Sequence, residues 1–344
     1  MRRLRNDDGA TAVMVAILMV VLVGMAAFAV DMGSMHLQNR ELQNSADAGA
    51  LAIAQQCAAG SCPDDEDAEA LFYAGANSTS GGGFFENTAA DADLNVTAQK
   101  VTVTATGDNT PLFRGVLGVG DSTFARSATA IWGPPASLVS SIPLTISQCE
   151  FDNAIPTPGA LADPAALEAA VASGSIGTPP FPAGEVTFNF HSPIEIPGCP
   201  EGPPGSDHPG GFGWLEPDDD DDTTDCETSS DTSGMFSTST GVSIPCDKDE
   251  FAALRGTVVP LPVYEYVKGK GDNAEYKMAG FAAFFLSGWR FPSFTGDSYA
   301  TGSPPCSPPD TCISGWFTSA TLADGGEVDF GAGGGGVNVV QLIG

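Results

Sequence analysis

The chain has 344 residues and carries 43 acidic against 13 basic side chains, a formal net charge of −30 at pH 7. Such a surface repels phosphate backbones, which argues against nucleic acid as a partner. The length leaves room for two domains besides an anchor, and the acidity is read as solvation of a domain outside the cytoplasm, with no specific cationic partner.

Arg2, Arg3 and Arg5 open the chain and are followed by an apolar run, 10–30, whose one clearly polar side chain is Thr11. At a rise of 1.5 Å per residue its 21 residues make about 31 Å of helix, against a hydrocarbon core of roughly 30 Å. The next basic residue after Arg5 is Arg40, so the positive-inside rule places the N-terminus, 1–9, in the cytoplasm and everything after Val30 outside. Nothing stops the helix at Val30. No proline follows before Pro63, and Leu42, Ala46, Ala50 and Ile53 fall on one helical stripe. Gly60 is the expected stop. The spacing therefore predicts one helix of roughly 50 residues, with 10–30 in lipid and 31–60 continuing outside. Ala12/Ala16 and Ala29/Gly33 have the small-xxx-small spacing that lets helices pack closely in a membrane. An alternative stays open. Arg-rich start, apolar run and Ala27-Phe28-Ala29 also suit a secretory signal cleaved after Ala29, although the run exceeds the usual length of such a signal.

Three blocks carry a family resemblance. They are Gly9-Ala10-Thr11-Ala12-Val13 entering the run, Val30-Asp31-Met32-Gly33 leaving it, and 40–52, RELQNSADAGALA. Over about residues 5–56 the chain resembles the N-terminal domain of TadE/TadG-like proteins of the tight-adherence (Flp) pilus apparatus. The resemblance implies a bacterial, single-pass membrane protein with a pilin-like first helix. It further implies a structural role in pilus assembly or surface adhesion, with the bilayer and other pilin-like or pilus-assembly proteins as partners. Pseudopilins of the family carry glutamate five residues after the processed glycine; here that place, counted from Gly9, holds Met14. Processing after Gly9 is therefore not expected, and the longer, often uncleaved TadG-like branch is the better fit.

Beyond the helix, 64–76 reads as a short helix with acidic residues in its first turn. Residues 77–93 read as loop, 94–106 and 121–132 as strands, so that 61–133 makes a small pilin-like β head. Gly133-Pro134-Pro135 marks a boundary. The remainder, 136–344, reads as a β-rich domain with strands at 138–146, 185–190, 257–267, 276–286 and 337–343. The continuously apolar 280–286 suits a central strand buried on both faces. Two short helices are punctuated by Asp163-Pro164 and Gly174, and by Asp247 and Gly256. Segments 197–240 and 301–312 read as long loops pinned by cysteines.

Cys57, Cys62, Cys149, Cys199, Cys226, Cys246, Cys306 and Cys312 form an even set, read as up to four disulfides outside the cytoplasm. Cys57/Cys62 and Cys306/Cys312 are the easiest pairs; the middle four have no assignable connectivity. No pair has zinc-ligand spacing. His36, His191 and His208 lie in no nucleophile context, so no catalytic residue, cofactor or metal site is assigned. Five aspartates at 218–222, with Glu216, Asp225 and Glu227, offer oxygens for calcium, but a solvated loop is the simpler reading. Some TadG-like proteins carry a von Willebrand A-like domain with a D-x-S-x-S metal motif; Asp231-Thr232-Ser233-Gly234-Met235 puts methionine at its second serine and does not qualify. Phe84, Phe85, Trp214 and Phe236 are candidate adhesive aromatics, with core packing the commoner fate. The expected fold is α+β: a long N-terminal transmembrane, pilin-like helix, a small antiparallel β head, then a β-rich disulfide-containing extracytoplasmic domain. The expected function is structural and non-catalytic; the alternatives are a signal-cleaved secreted adhesin or binding module and, behind it, a metal-dependent surface enzyme.

Overall fold

In the computed structural model, residues 8–77, 85–109, 122–155, 161–174, 184–190, 213–218, 226–238, 244–269, 273–322, 328 and 333–343 are described. The fold is α+β, an N-terminal long helix followed by β-sheets. The chain divides into two compact units. The first comprises 1–57, 62–131 and 342–344; the second comprises 58–61 and 132–341.

The first unit begins with α1 (Asp8–Ala58), 51 residues without a break. Four glycines lie inside it, Gly9 in its first turn and Gly24, Gly33 and Gly49 in its interior, the interior ones each costing about 1 kcal/mol against alanine, too little to interrupt a run this long. Gly60 takes a positive φ of 82° just beyond its end. The Cys57–Cys62 disulfide closes the turn that follows. Then comes α2 (Glu66–Asn77), with Asp65 accepting from the Ala68 N–H and with Glu66, Asp67 and Glu69 in its first turn, where the helix dipole favours negative charge. Next are β1 (Phe85–Asn95), β2 (Lys100–Asn109) and β3 (Ser122–Gly133), joined as an antiparallel meander.

Two sequence expectations are corrected here. The stretch 77–93 is not all loop, since β1 starts at Phe85. Its composition, NTAADAD, hides the strand because the pattern has no large apolar residue to alternate. Nor is 94–106 one strand. Asn95 accepts from the Ala98 N–H, Gln99 has φ 48°, and the chain reverses between β1 and β2. On β2, Val101, Val103 and Ala105 are buried while Thr102 and Thr104 point away, bonded across to Thr129 at 3.0 Å and Ser127 at 2.9 Å.

The second unit opens with β4 (Ser137–Ser140) and β5 (Ile146–Ser147). Helix α3 (Gln148–Ala154) follows, started by a capping box of Ser147 and Glu150. Helix α4 (Pro164–Ala172) is capped by Asp163. Then come β6 (Val186–Asn189), β7 (Thr228–Asp231), β8 (Met235–Ser237) and helix α5 (Lys248–Ala253), capped by Asp247. The main strands follow: β9 (Val258–Lys268), β10 (Glu275–Phe291), β11 (Phe294–Gly296) and β12 (Cys312–Thr318). The unit ends with β13 (Ala320–Leu322), β14 (Gly333–Gly335) and β15 (Val337–Ile343). The 197–240 segment thus contains β7 and β8, which its Ser/Thr/Asp content conceals.

Strand β10 organises this unit. The sheet runs β5-β9-β10-β12-β6, and β8, β11 and β14 also pair with β10. Side chains alternate across it. Ala282, Phe284 and Leu286 enter the main core with Trp214, Phe251, Trp289, Ile313 and Phe317. On the opposite face Phe285 packs with Leu167 of α4 and Trp316, and Phe281 and Ala283 with Val337. Both faces are covered, which explains a run with no polar alternation. Gly315 of β12 sits where a Cβ would lie 2.0 Å from the Phe285 carbonyl oxygen, so the strand pairing there admits only glycine. The Cys226–Cys246 and Cys306–Cys312 disulfides tie loops of this unit, and Cys149 is also disulfide-bonded. Cys199 lies outside the described residues.

Candidate functional site: the two halves of the long helix

Helix α1 changes character along its length. Over 13–25 every large apolar side chain is exposed, from 47% at Val21 to 74% at Val20. Among the described residues this is one helix long and apolar enough to cross a membrane. Eleven such side chains left in water forfeit on the order of 20 kcal/mol of burial. A surface of this kind calls for a non-aqueous partner.

The second half is packed. Leu42, Ser45, Ala46, Gly49, Ala50, Ile53, Ala54 and Cys57 are buried along one face. The residues that allow this are small. At Gly49 an added Cβ would lie 3.2 Å from Val103 Cγ1 and 3.7 Å from the Ala70 backbone, so α2 and β2 approach the helix closely there. Ser45 donates to the Ala74 carbonyl at 3.2 Å, and Gln56 to Glu69 at 2.5 Å, fixing α2 antiparallel along α1. Gln43 donates to Asp47 one turn on. The 40–52 block is thus the part of α1 on which the head of the first unit is built.

The predicted packing residues separate by environment. Leu42, Ala46, Ala50 and Ile53 are in the core of the first unit. Ala12, Ala16, Ala29 and Gly33 lie on exposed helix surface, and nothing comes within 4 Å of a Cβ built at Gly33. His36 is exposed on α1; His191 and His208 lie outside the described residues.

Among the described residues of the second unit, several polar side chains are engaged in holding turns and strands. Asp231 Oδ1 accepts from the Ser233 hydroxyl at 2.5 Å, the Ser233 N–H at 2.7 Å and the Gly234 N–H at 2.6 Å. These bonds, the Ser233 hydroxyl first, hold its carboxyl below the ordinary carboxylate range against the opposing effect of burial. The D-T-S-G turn is therefore a structural loop between β7 and β8. Asp218 is bonded to the Ser229 N–H and hydroxyl; 219–225 lie outside the described residues. Among the described residues no group of three or more His, Cys, Asp or Glu is placed to hold a metal ion. Glu185 accepts from Ser298 and Ser314 at 2.7 and 2.8 Å, and Ser298 Oγ in turn accepts from the Ala300 N–H. That hydroxyl is consumed in holding a turn. Tyr276 is buried against Tyr264, and burial, then the nearby Glu150, push its hydroxyl pKa up. Trp214 is 1% exposed, in the main core, so it is no adhesive aromatic, and Phe236 is half-buried against the Tyr264 cluster. Phe84 lies outside the described residues, as does the side chain of Phe85.

No curated protein and no solved structure matches the chain. The Tad family model, described as "Putative Flp pilus-assembly TadE/G-like", matches residues 9–56. Those residues begin at the apolar half of α1 and end inside its packed half, so the match spans both environments. Over residues 9–56 the chain is accordingly similar to TadE/G-like domains, which supports a pilus-related role.

Proposed function

We propose that the chain is a membrane-anchored, TadE/TadG-like component of Flp pilus assembly or surface adhesion, acting by association and not by catalysis. The single observation behind this is the contrast within α1: side chains exposed all round over 13–25, and a packed head built on the same uninterrupted helix from Leu42 onward. A helix satisfies its own backbone hydrogen bonds in lipid, and its apolar side chains lose nothing there. The head then stands outside, N-terminus in the cytoplasm, as the Arg2/Arg3/Arg5 flank directs. The partners are the bilayer and other pilin-like or pilus-assembly proteins. Small residues on the exposed half, Ala12, Ala16, Ala29 and Gly33, offer close-approach faces for their helices. Met14 lacks the carboxylate that pseudopilins carry at this place, so the anchor is read as permanent, with no extraction into a filament shaft.

The N-terminal residue of the mature protein, in cells with an intact prepilin peptidase, tests this. Met1 or Arg2 is expected. Ala10 would make the chain a processed filament subunit, and Val30 a secreted adhesin or binding module without an anchor. A reporter active only outside the membrane should work when fused after Gly344 and fail before Arg2; the reverse pattern sinks the orientation.

A further inference from the structure

From Ala27 onward α1 is two-sided. Ala27, Asp31, Gln38 and Leu42 are buried along one side. At 100° per residue, Ala29, Gly33, His36, Leu37 and Arg40 fall on the opposite side, and all of them are exposed. The large apolar residues of this level stay open, Phe28 at 58%, Met32 at 53% and Leu37 at 61%. Exposed apolar side chains thus run from Val13 to Leu37, about 36 Å of helix at 1.5 Å per residue. That exceeds the roughly 30 Å hydrocarbon core. From Phe28 to Leu37 these side chains flank the covered stripe on both edges, Phe28 and Met32 on one and Val30 and Leu37 on the other, with Ala29, Gly33, His36 and Arg40 between them.

We propose that α1 leaves the bilayer leaning, so that its Gly33, His36, Leu37 and Arg40 face lies in the outer phospholipid headgroup layer. The inference rests on the anchor reading above. A helix longer than the hydrocarbon tilts, and the underside of a tilted helix meets lipid over more of its length than the upper side does. The burial pattern has that asymmetry: the upper side is already covered from Ala27, the lower side is not. Charge agrees with it. In a chain of net charge −30, Arg40 is the first basic residue after Arg5. The single acidic residue between Gly9 and Arg40, Asp31, is buried on the far side. Over Gly33–Arg40 the leaning face therefore offers phosphates a cation and no carboxylate, Asp47 lying two turns further out and bonded to Gln43, and the long arginine stem can lie along lipid while its guanidinium reaches the headgroups.

The test uses the full chain in phosphatidylethanolamine/phosphatidylglycerol liposomes, with one fluorophore on a new thiol at Val20, Leu37 or Gln55. No described cysteine is free, so the new thiol is the only target among the described residues. Quenching by brominated lipid is compared with quenching by aqueous acrylamide. Val20 should be quenched by lipid alone, Gln55 by acrylamide alone, and Leu37 by lipid with acrylamide excluded. Leu37 behaving as Gln55 does, with Val20 still in lipid, overturns the lean and leaves the anchor. Val20 open to acrylamide overturns both. Adding Arg40→Glu should move the Leu37 label toward the acrylamide response; an unmoved label removes the arginine from the argument.

Discussion

Gly315 and Asp231 show how single positions constrain the second unit. Any side chain at Gly315 collides with the Phe285 carbonyl, so Gly315→Ala must separate β10 from β12. Overpacking of this kind costs about 1–3 kcal/mol, and we expect the upper end, read as a lower urea midpoint for loss of near-UV tryptophan signal. Asp231 acts through its charge. Its folded pKa is lowered, so the stability it contributes is present above the unfolded value, about 3.8, and is lost as the pH falls through the folded one. The wild type should therefore lose more stability than Asp231→Asn between pH 5 and pH 3. The difference should be about 1 kcal/mol, discounted from the usual value of a charged hydrogen bond because the site is half-exposed. Equal losses would remove the carboxylate from the turn's stability.

Among elements, α1 is one covalent helix with two environments, exposed over 13–25 and packed from Leu42 onward. Its glycines report which. Gly49 faces Val103 and Ala70, whereas Gly33 faces nothing within 4 Å. Gly49→Val should lift α2 from the helix and cost about 1–3 kcal/mol, visible as faster proteolysis of the 61–77 segment. Gly33→Ala should stabilise the helix by up to about 1 kcal/mol and leave the head intact. Similar effects from both would mean that the two halves of α1 do not differ in environment. The 40–52 block has its small residues for a stated reason: Ser45, Ala46, Gly49 and Ala50 set the distance at which α2 and β2 can pack.

For the molecule as a whole, charge governs handling. With a net charge of −30 and a sequence pI near 4.1, self-repulsion keeps copies apart at neutral pH and vanishes near the pI. Light scattering from the detergent-solubilised chain should rise sharply as the pH approaches 4 and fall again below it. Added salt at pH 7 should also raise scattering, by screening the repulsion over a Debye length of about 10 Å at 0.1 M. Scattering that ignores both would show that association is set by the apolar half of α1 alone.

Much of this architecture is legible in the residues because it is local. An uncharged 21-residue run, a proline-free continuation and a stripe at 42, 46, 50 and 53 are helix signals that need no tertiary partner. So are the caps Asp163 and Asp247, whose side chains meet the next turn's N–H groups whatever the rest of the chain does. The apolar 280–286 segment announces a strand covered on both faces for the same reason. What tertiary structure decided is non-local. Strand β1 has no large apolar side chain between Phe85 and Leu94 and is held by its pairing with β2. The short strands β7, which is all Ser, Thr and Asp, and β8, three residues long, are held by β4 and β10. Trp214, far from β10 in sequence, is drawn into its core, and Cys226 finds Cys246 among several equally possible partners. Backbone pairing and side-chain burial depend on what arrives from elsewhere in the chain, and no window of neighbouring residues encodes that.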